Sequence, residues 1–371
     1  MQKNILFYLS RYPGYGGIER ITTVLCNTLV EKNLYKIYIV SKNQQDKEKL
    51  ISALNRNISF RTLKEIPLLS RYIQENNINT IVYQDSFDVD FQIIKKATKK
   101  SSIQKIVVVH NTPNAFELTL NCEVNGNWTV RNRLRRFKTN WDVATRTRSL
   151  FGWADKYVLL SDTYKPILKN IIGSYQKQKI VVINNPVTID LPNEKLEKKY
   201  RTCLFLGRLH QQKGILLLMD IWKHVESRHP DWKLKIVGDG PERSFVEKFI
   251  ADNGLKSICL EGFQTDVAKY YRESSIFLMT SIFEGWPLTL FEAMAYGCVP
   301  VMFDSFAAAR EIVDNKKNGF LISPFDKVSF ASALNDLMEN HSLIENMANE
   351  TRHKIELFSV ERIVEQWKEL F

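Results

Sequence analysis

Short apolar runs alternate with longer amphipathic stretches along most of the chain. The short runs predict buried strands, and apolar residues at every third or fourth position predict helices. Predicted strands lie at 4–9, 36–40, 80–83, 105–109, 155–160 and 179–183, and then at 203–206, 234–237, 258–263, 275–280, 298–301 and 320–322. Because helical stretches separate them, the strands are expected to form parallel sheets of an α/β protein.

The helical pattern is clearest in segments that follow a predicted strand. Predicted helices cover 18–31, 91–99, 128–151, 164–172, a segment from 215, 288–296, 307–313 and 343–371. A polar stretch with proline, 192–199, interrupts the alternation near the middle of the chain. We therefore predict a first domain over 1–187 and a second over 188–355.

The stretch between the strand at 275–280 and the helix at 288–296 has the features of an anion site. Gly285 lies in the connecting loop, Pro287 is predicted to be the first helical residue, and Gly297 ends the helix. The free N–H groups of Leu288 and Thr289 would face an anion at the positive end of the helix dipole.

Two carboxylates lie at either end of this loop, Glu284 before the turn and Glu292 on the first turns of the predicted helix. A carboxylate accepts hydrogen bonds from the two hydroxyls of a diol. A phosphate site with a carboxylate on each side therefore suits a nucleotide sugar, whose ribose and hexose both carry diols. Arg208 and Lys213 follow the strand at 203–206 and can converge on a diphosphate. The alternative is that these two cations are simply solvated.

The run from Ser281 to Val301 resembles the retaining glycosyltransferases of family 4. It carries Glu284, seven residues, Glu292, then Ala-Met-Ala-x-Gly and a strand. The resemblance implies an α/β fold of GT-B type, in which two Rossmann-like domains have parallel sheets facing across a cleft. It also implies an acceptor-side first domain, a second domain that binds the nucleotide sugar, and a final helix, 356–371, that packs back on the first domain.

The resemblance also implies roles for individual residues. Glu284 would hold hexose hydroxyls, Glu292 would hold the ribose, and His110 would contact the donor hexose near the reacting bond. Gly16 and Gly17 would lie against the donor phosphates, and the backbone of Gly262 and Phe263 beside the nucleobase. The expected catalytic residues are Arg208, Lys213, Glu284 and His110, and the expected donor-binding residues are Glu292, Gly16, Gly17, Gly285, Trp286, Pro287, Leu288, Thr289, Gly262 and Phe263.

Purely structural alternatives stay open for His110 and for the glycine-rich loop. His110 follows a predicted strand and could be a structural residue, and the glycines at 14, 16 and 17 could form only a tight turn. An NADP site there is a weaker alternative, because the dinucleotide fingerprint lacks its third glycine.

No cofactor and no metal are expected, since the nucleotide sugar is a substrate and the two cations can neutralise the leaving diphosphate. Asp88-Val89-Asp90 has the Asp-x-Asp pattern of metal-dependent glycosyltransferases. It opens a predicted helix, where aspartate is favoured by capping and by the helix dipole, and we interpret it as a helix start.

The net charge of +11 is unevenly distributed. Residues 1–187 have 29 basic and 14 acidic residues, a net charge of +15, whereas the remainder has 23 basic and 27 acidic residues, a net charge of −4.

The predicted helix 128–151 is strongly basic around one apolar stripe, so it is either packed with a solvated basic side or contacts an anionic membrane surface. Nucleic acid is not an expected partner, because no nucleic-acid motif is present. No signal peptide, membrane span or paired cysteine spacing is predicted, which favours the cytoplasm and a peripheral position on the inner face of the cell membrane.

The function expected from these features is retaining transfer of a hexose from a nucleotide-diphosphate sugar to a hydroxyl of a glycan or lipid-linked acceptor, in surface polysaccharide synthesis. The resemblance favours UDP, with guanosine diphosphate left open. The alternative is a non-hydrolysing nucleotide-sugar epimerase of similar two-domain fold.

Overall fold

The structure is a computed structural model that describes residues 2–14, 16–31, 35–44, 53–85, 90–99, 101–124, 126, 129–189 and 201–371. Asp88, Val89, Trp128 and the stretch 192–199, which the sequence analysis singles out, lie outside these residues. The chain divides into two compact units. The first holds Met1–Glu117, Asn127–Thr188 and Phe358–Phe371, and the second holds Leu118–Gly126 and Ile189–Leu357.

The first unit is built on one parallel sheet of seven strands. They are β1 (Lys3–Arg11), β2 (Tyr35–Asn43), β3 (Ser59–Thr62), β4 (Thr80–Asp85), β5 (Gln104–Val109), β6 (Lys156–Leu159) and β7 (Ile180–Val182). Their order is β3-β2-β1-β4-β5-β6-β7, and every neighbouring pair is parallel. The order reverses between β1 and β4, and ligands of open α/β sheets bind outside the carboxyl ends of the strands at such a switch point.

Six helices occur in the described residues of the first half of the chain. They are α1 (Gly17–Glu31), α2 (Ile66–Glu75), α3 (Phe91–Ala97), α4 (Ala115–Val124), α5 (Val130–Trp153) and α6 (Tyr164–Ile172). The helix predicted at 128–151 is α5, shifted by two residues at each end.

The second unit repeats this plan with a parallel sheet of six strands. They are β8 (Thr202–Leu206), β9 (Lys233–Val237), β10 (Ile258–Gly262), β11 (Ile276–Met279), β12 (Val299–Phe303) and β13 (Phe320–Ile322). The order is β10-β9-β8-β11-β12-β13, with the switch point between β8 and β11. Both units therefore have the parallel α/β architecture that the sequence predicts.

Helices of the second unit cover its sheet and complete its core. They are α7 (Ile215–Arg228), α8 (Arg243–Asn253), α9 (Ala268–Glu273), α10 (Leu288–Ala295), α11 (Ala309–Ile312), α12 (Lys327–Glu339) and α13 (His341–Glu356). Trp222 on α7 and Phe330 on α12 are fully buried in one apolar cluster with the strands β8, β11 and β12. The sequence pattern did not predict α8, α9 or α12.

The last helix, α14 (Val360–Leu370), belongs to the first unit. Its apolar stripe, which includes Ile363, Val364 and Trp367, is buried, and the helix packs against α1. The Gln104 side chain on β5 donates a hydrogen bond to the Leu370 carbonyl over 3.0 Å. These contacts join the end of the chain to the first sheet.

At the switch point of the second sheet, the loops after β8 and β11 are in direct contact. The Ile282 N–H donates to the Gln212 carbonyl over 2.7 Å, and the Thr280 hydroxyl donates to the Lys213 carbonyl over 3.1 Å. Gly214 has φ +65°, and a Cβ there would overlap the Thr280 carbonyl oxygen. Only glycine satisfies both the backbone angle and this close approach.

We predict that Gly214→Ala lowers the free energy of unfolding by at least about 2 kcal/mol, because left-handed strain and overlap with a carbonyl oxygen act together. Gly254 is a matched control, with φ +62° and no atom within 4 Å of an added Cβ. Gly254→Ala should cost only about 1 kcal/mol of left-handed strain. Urea unfolding of the two variants measures the difference, and equal losses would show that the loops are not tightly joined at Gly214.

Candidate active site

An ion pair lies at the switch point of the second sheet. The Lys213 ammonium is 2.6 Å from Oε1 of Glu284, and the Ser281 hydroxyl donates to the same oxygen over 2.7 Å. The Glu284 side chain is 8% exposed and that of Lys213 is 27% exposed. Since an ammonium has three donors, Lys213 can bind an anion while it keeps Glu284. The structure thus brings together two residues that the sequence places 71 positions apart.

Arg208 lies on the same loop as Lys213 and is exposed. No hydrogen bond or ion pair of its side chain occurs within the described part of the chain. The loop itself is well supported, because the Leu209 N–H donates to the Asp239 carbonyl and Gly238 packs against the Gly207 carbonyl. A rigid loop with an unpaired guanidinium is suited to capture of an anion.

Helix α10 begins beside this ion pair. Leu288 is the first helical residue, as the predicted helix 288–296 requires, whereas Pro287 is the N-cap residue and not the first helical position. Extended backbone at Pro287 (ψ 97°) explains the difference, because a helical residue needs a negative ψ. The first N–H groups of the helix, those of Leu288 and Thr289, have no acceptor inside it.

Trp286 and Gly285, two of the predicted donor-binding residues, are buried. The Trp286 ring stacks on Phe291 with 5.0 Å between centroids. This stacking holds the loop against α10, so the Trp286 side chain supports the loop from inside the unit.

Glu292 is 1% exposed and accepts a hydrogen bond of 2.8 Å from the Tyr271 hydroxyl. The Tyr271 ring in turn stacks on Tyr296. Neither Tyr271 nor Ser281 was singled out from the sequence. Both orient a carboxylate: Ser281 does so from three residues before Glu284, and Tyr271 from 21 residues before Glu292.

Gly262 and Phe263 lie where β10 ends. Gly262 has φ +68°, a conformation that favours glycine, and its carbonyl accepts from the Gly238 N–H over 2.8 Å. The Phe263 side chain is 63% exposed. An exposed aromatic ring at a strand end offers a stacking surface for a planar base.

In the first unit, His110 directly follows β5. Its Nε2 is hydrogen-bonded to Oε1 of Gln84 at the end of β4. Burial lowers the pKa of His110 to about 3, so the imidazole is neutral at physiological pH. Its Nδ1 is buried and has no hydrogen-bond partner among the described residues. The sequence analysis did not include Gln84.

The glycine-rich loop after β1 leads into α1, which begins at Gly17. An added Cβ at Gly16 or Gly14 would meet the buried carboxylate of Glu19, which lies 3.6 Å from Nε of Arg11. A cavity of about 350 Å³ opens here, at the switch point of the first sheet. It is lined by Leu9, Ser10, Arg11, Ile18, Glu19, Asn43 and Gln84.

The predicted helix start at Asp90 is observed, although its predicted capping bond is not. Asp90 is the N-cap of α3, but its carboxylate makes no capping hydrogen bond and pairs with Lys42 at 2.6 Å. The stronger attraction of an ammonium explains this choice of partner. Over the described residues, no group of three or more His, Cys, Asp or Glu side chains is arranged to hold a metal ion.

Helix α5 presents its apolar stripe outward. Its large apolar side chains are 64–76% exposed: Val130, Leu134, Phe137 and Trp141. Only Thr147, Leu150 and Phe151, near its end, are buried. Within the described ranges, no helix is both long and apolar enough to cross a bilayer.

Comparisons with known proteins agree with this geometry. Residues 188–354 match the sequence model of the family described as glycosyl transferases group 1. An uncharacterized glycosyltransferase of Haemophilus influenzae is 28% identical over 99% of both chains. The lipopolysaccharide 1,6-galactosyltransferase of Escherichia coli is 24% identical over 92% of this chain and 91% of its own length.

The fold is shared with solved glycosyltransferase structures of GT-B type. A mutant of TarM from S. aureus, in complex with fondaparinux, alpha-GlcNAc-glycerol and UDP, superposes with a TM-score of 0.78 at 14% identity, covering 100% of this chain and 99% of that one. The second unit therefore matches the group 1 glycosyltransferases, and the relatives that span the whole chain are themselves described as glycosyltransferases.

Proposed function

We propose that the chain is a retaining glycosyltransferase of family 4 that transfers a hexose from a UDP-sugar to a hydroxyl of a glycan or lipid-linked acceptor. The observation that carries the proposal is the Lys213–Glu284 ion pair, 2.6 Å long, beside the first N–H groups of α10 at the switch point of the second sheet. With exposed Arg208 on the same loop, this arrangement offers cations and backbone donors to a diphosphate.

The proposed reaction breaks the bond between the anomeric carbon and the phosphate oxygen. That oxygen keeps the electron pair, and Arg208, Lys213 and the N–H groups of Leu288 and Thr289 stabilise its growing charge. The acceptor hydroxyl forms the new bond to the anomeric carbon on the same face and gives its proton to the departing phosphate. The transition state is oxocarbenium-like, and configuration is retained.

The remaining residues would orient the donor. Glu284, anchored through Oε1 by Lys213 and Ser281, would accept hydrogen bonds from hexose hydroxyls. Glu292 would hold the ribose, Phe263 with Gly262 would lie beside the nucleobase, and Gly16 with Gly17 would lie against the phosphates. His110 would contact the hexose as a neutral imidazole.

The relatives support the choice of donor and acceptor. The S. aureus structure holds UDP and alpha-GlcNAc-glycerol, and the E. coli relative is named a lipopolysaccharide 1,6-galactosyltransferase. We therefore propose surface polysaccharide synthesis as the role of the chain, and the cytoplasm as its location. In this proposal 1–187 would lie on the acceptor side, 188–355 would bind the donor and 356–371 would return to the first domain. The relatives named above give no support to the epimerase alternative.

Removal of either loop cation should abolish most of the activity. Lys213→Ala and Arg208→Ala are each expected to lower turnover of a UDP-hexose about a hundredfold, as loss of one oxyanion donor does in other enzymes. Lys223, exposed on α7, is the control, and Lys223→Ala should be close to wild type. Initial rates of UDP release measure the effect. Unchanged rates in both loop variants would show that these cations are not part of the active site.

We propose that transfer needs no metal ion, because the two cations and the helix N-terminus already face the leaving group. Activity in excess EDTA should equal activity without the chelator. The EDTA-treated enzyme is then assayed again with added Mn²⁺. A loss in EDTA that Mn²⁺ restores would contradict the proposal.

We further propose that α5 contacts an anionic membrane surface, where lipid-linked acceptors lie. The structure favours this reading over a packed helix, because Leu134, Phe137 and Trp141 are each more than half exposed. Basic residues surround this stripe: Arg131, Arg133, Arg135, Arg136 and Lys138. Apolar side chains can enter the interface while each nearby basic residue adds roughly 1 kcal/mol.

The membrane proposal predicts binding to vesicles that contain phosphatidylglycerol and little binding to pure phosphatidylcholine vesicles. Leu134→Glu combined with Trp141→Glu should weaken binding at least tenfold in a flotation assay, because two carboxylates replace the apolar contacts. Val328, which is 82% exposed in the second unit, provides the control Val328→Glu. Equal binding by the wild type, the double variant and the Val328→Glu control would exclude α5 as the membrane contact.

A further inference from the structure

Two polar side chains, those of Gln84 and His110, lie at the carboxyl ends of β4 and β5, beside the switch point of the first sheet. Gln84 lies on β4, where it is paired in register with Val108 of β5, and His110 follows two residues later. Gln84 is 1% exposed and also lines the cavity of about 350 Å³. It therefore both lines that cavity and contacts the imidazole.

The hydrogen bond between these side chains has a defined direction. Oε1 of Gln84 faces Nε2 of His110, and an amide oxygen can only accept. Nε2 must then carry the proton. Because a neutral imidazole has one N–H, Nδ1 carries the lone pair and is an acceptor.

The opposite arrangement is less favourable. If the amide were turned so that its NH₂ group faced Nε2, the proton would lie on Nδ1. Nδ1 is buried and has no partner among the described residues. A buried N–H without an acceptor is rarer, and more costly, than an acceptor with an unused lone pair. The observed orientation avoids that cost.

We propose that Gln84 is a positioning residue that holds His110 with its proton on Nε2 and presents Nδ1 as the acceptor for a hydroxyl of the sugar substrate. The identity of that hydroxyl donor rests on the proposed function, whereas the protonation of the ring does not. His110 then acts by binding and orienting the sugar. Because Nε2–H is committed to Gln84, His110 does not exchange a proton with the acceptor.

Nitrogen NMR of protein labelled with ¹⁵N-histidine tests the ring state without any substrate. The His110 signals are identified by their loss in His110→Phe. We expect a protonated Nε2, a bare Nδ1 and no titration between pH 5 and pH 9, because burial lowers the His110 pKa to about 3. A proton on Nδ1, or a midpoint inside this range, would overturn the proposal.

Variants of Gln84 test its positioning role. Gln84→Leu should abolish the protected Nε2–H signal, whereas Gln84→Glu, which keeps an acceptor oxygen, should retain it. The control is Gln104→Leu on β5, which removes hydrogen bonds to Thr80 and Leu370 and leaves His110 untouched. If the Nε2–H signal were unchanged in Gln84→Leu, Gln84 would not position the ring.

Kinetics connect this geometry to the reaction. Gln84→Leu should lower kcat/KM about five- to tenfold, which corresponds to the loss of one hydrogen bond. Gln84→Glu should restore the value, and Gln104→Leu should have the wild-type value.

Saturating UDP-hexose should also shift the His110 Nδ1 signal of the wild type. Absence of that shift while transfer is active would overturn the hydroxyl contact. Absence of any transfer by the wild type would contradict the proposed function and leave the ring-state result standing.

Discussion

The ion pair between Lys213 and Glu284 depends on the close approach of two loops. Glycine at 214 lets the backbone before α7 reach the Thr280 carbonyl, and this contact sets the ammonium 2.6 Å from the carboxylate. The pair is only partly shielded from water, so its own contribution to stability is modest. Its importance is positional, because it holds a cation and a carboxylate at the switch point before any ligand arrives.

The two units share a topology and differ in the chemistry at their switch points. The second unit has loop cations and a helix N-terminus, which suit a diphosphate. The first has the carboxylate of Glu19, the amide of Gln84 and a neutral imidazole, which suit hydroxyl groups. A common parallel sheet thus supplies the positions, and the residues after each strand determine whether a unit offers cations or neutral hydrogen-bonding groups.

Periodicity in the sequence was enough to predict most strands and the two-unit plan. It missed β3, a short strand without fully buried positions, and α2, where Pro67 stands at the helix start. It also missed the helices α4, α8, α9 and α12. It also identified the apolar stripe of α5 without indicating which way the stripe faces. An amphipathic pattern shows that a face seeks an apolar environment, and only the structure shows that the rest of the unit does not cover it.

The candidate site was predictable where local spacing carries the chemistry, as in the loop and helix around Glu284 and in the Arg208 loop. Tyr271 and Gln84 were not predictable, because each is a common residue in an ordinary helix or strand and gains its role from a tertiary contact with a carboxylate or an imidazole. Ser281 was missed although it lies in the loop after β11, only three residues before the Glu284 carboxylate that it contacts. The pairing of Lys213 with Glu284 likewise arises only when β8 and β11 become neighbours.

A crystal structure of the chain with bound UDP tests the central claim most directly. The account predicts the diphosphate within hydrogen-bonding distance of the Lys213 ammonium and of the Leu288 or Thr289 N–H group, with the Arg208 guanidinium turned toward it. A diphosphate bound elsewhere, with the Lys213–Glu284 pair facing only solvent, would contradict the account.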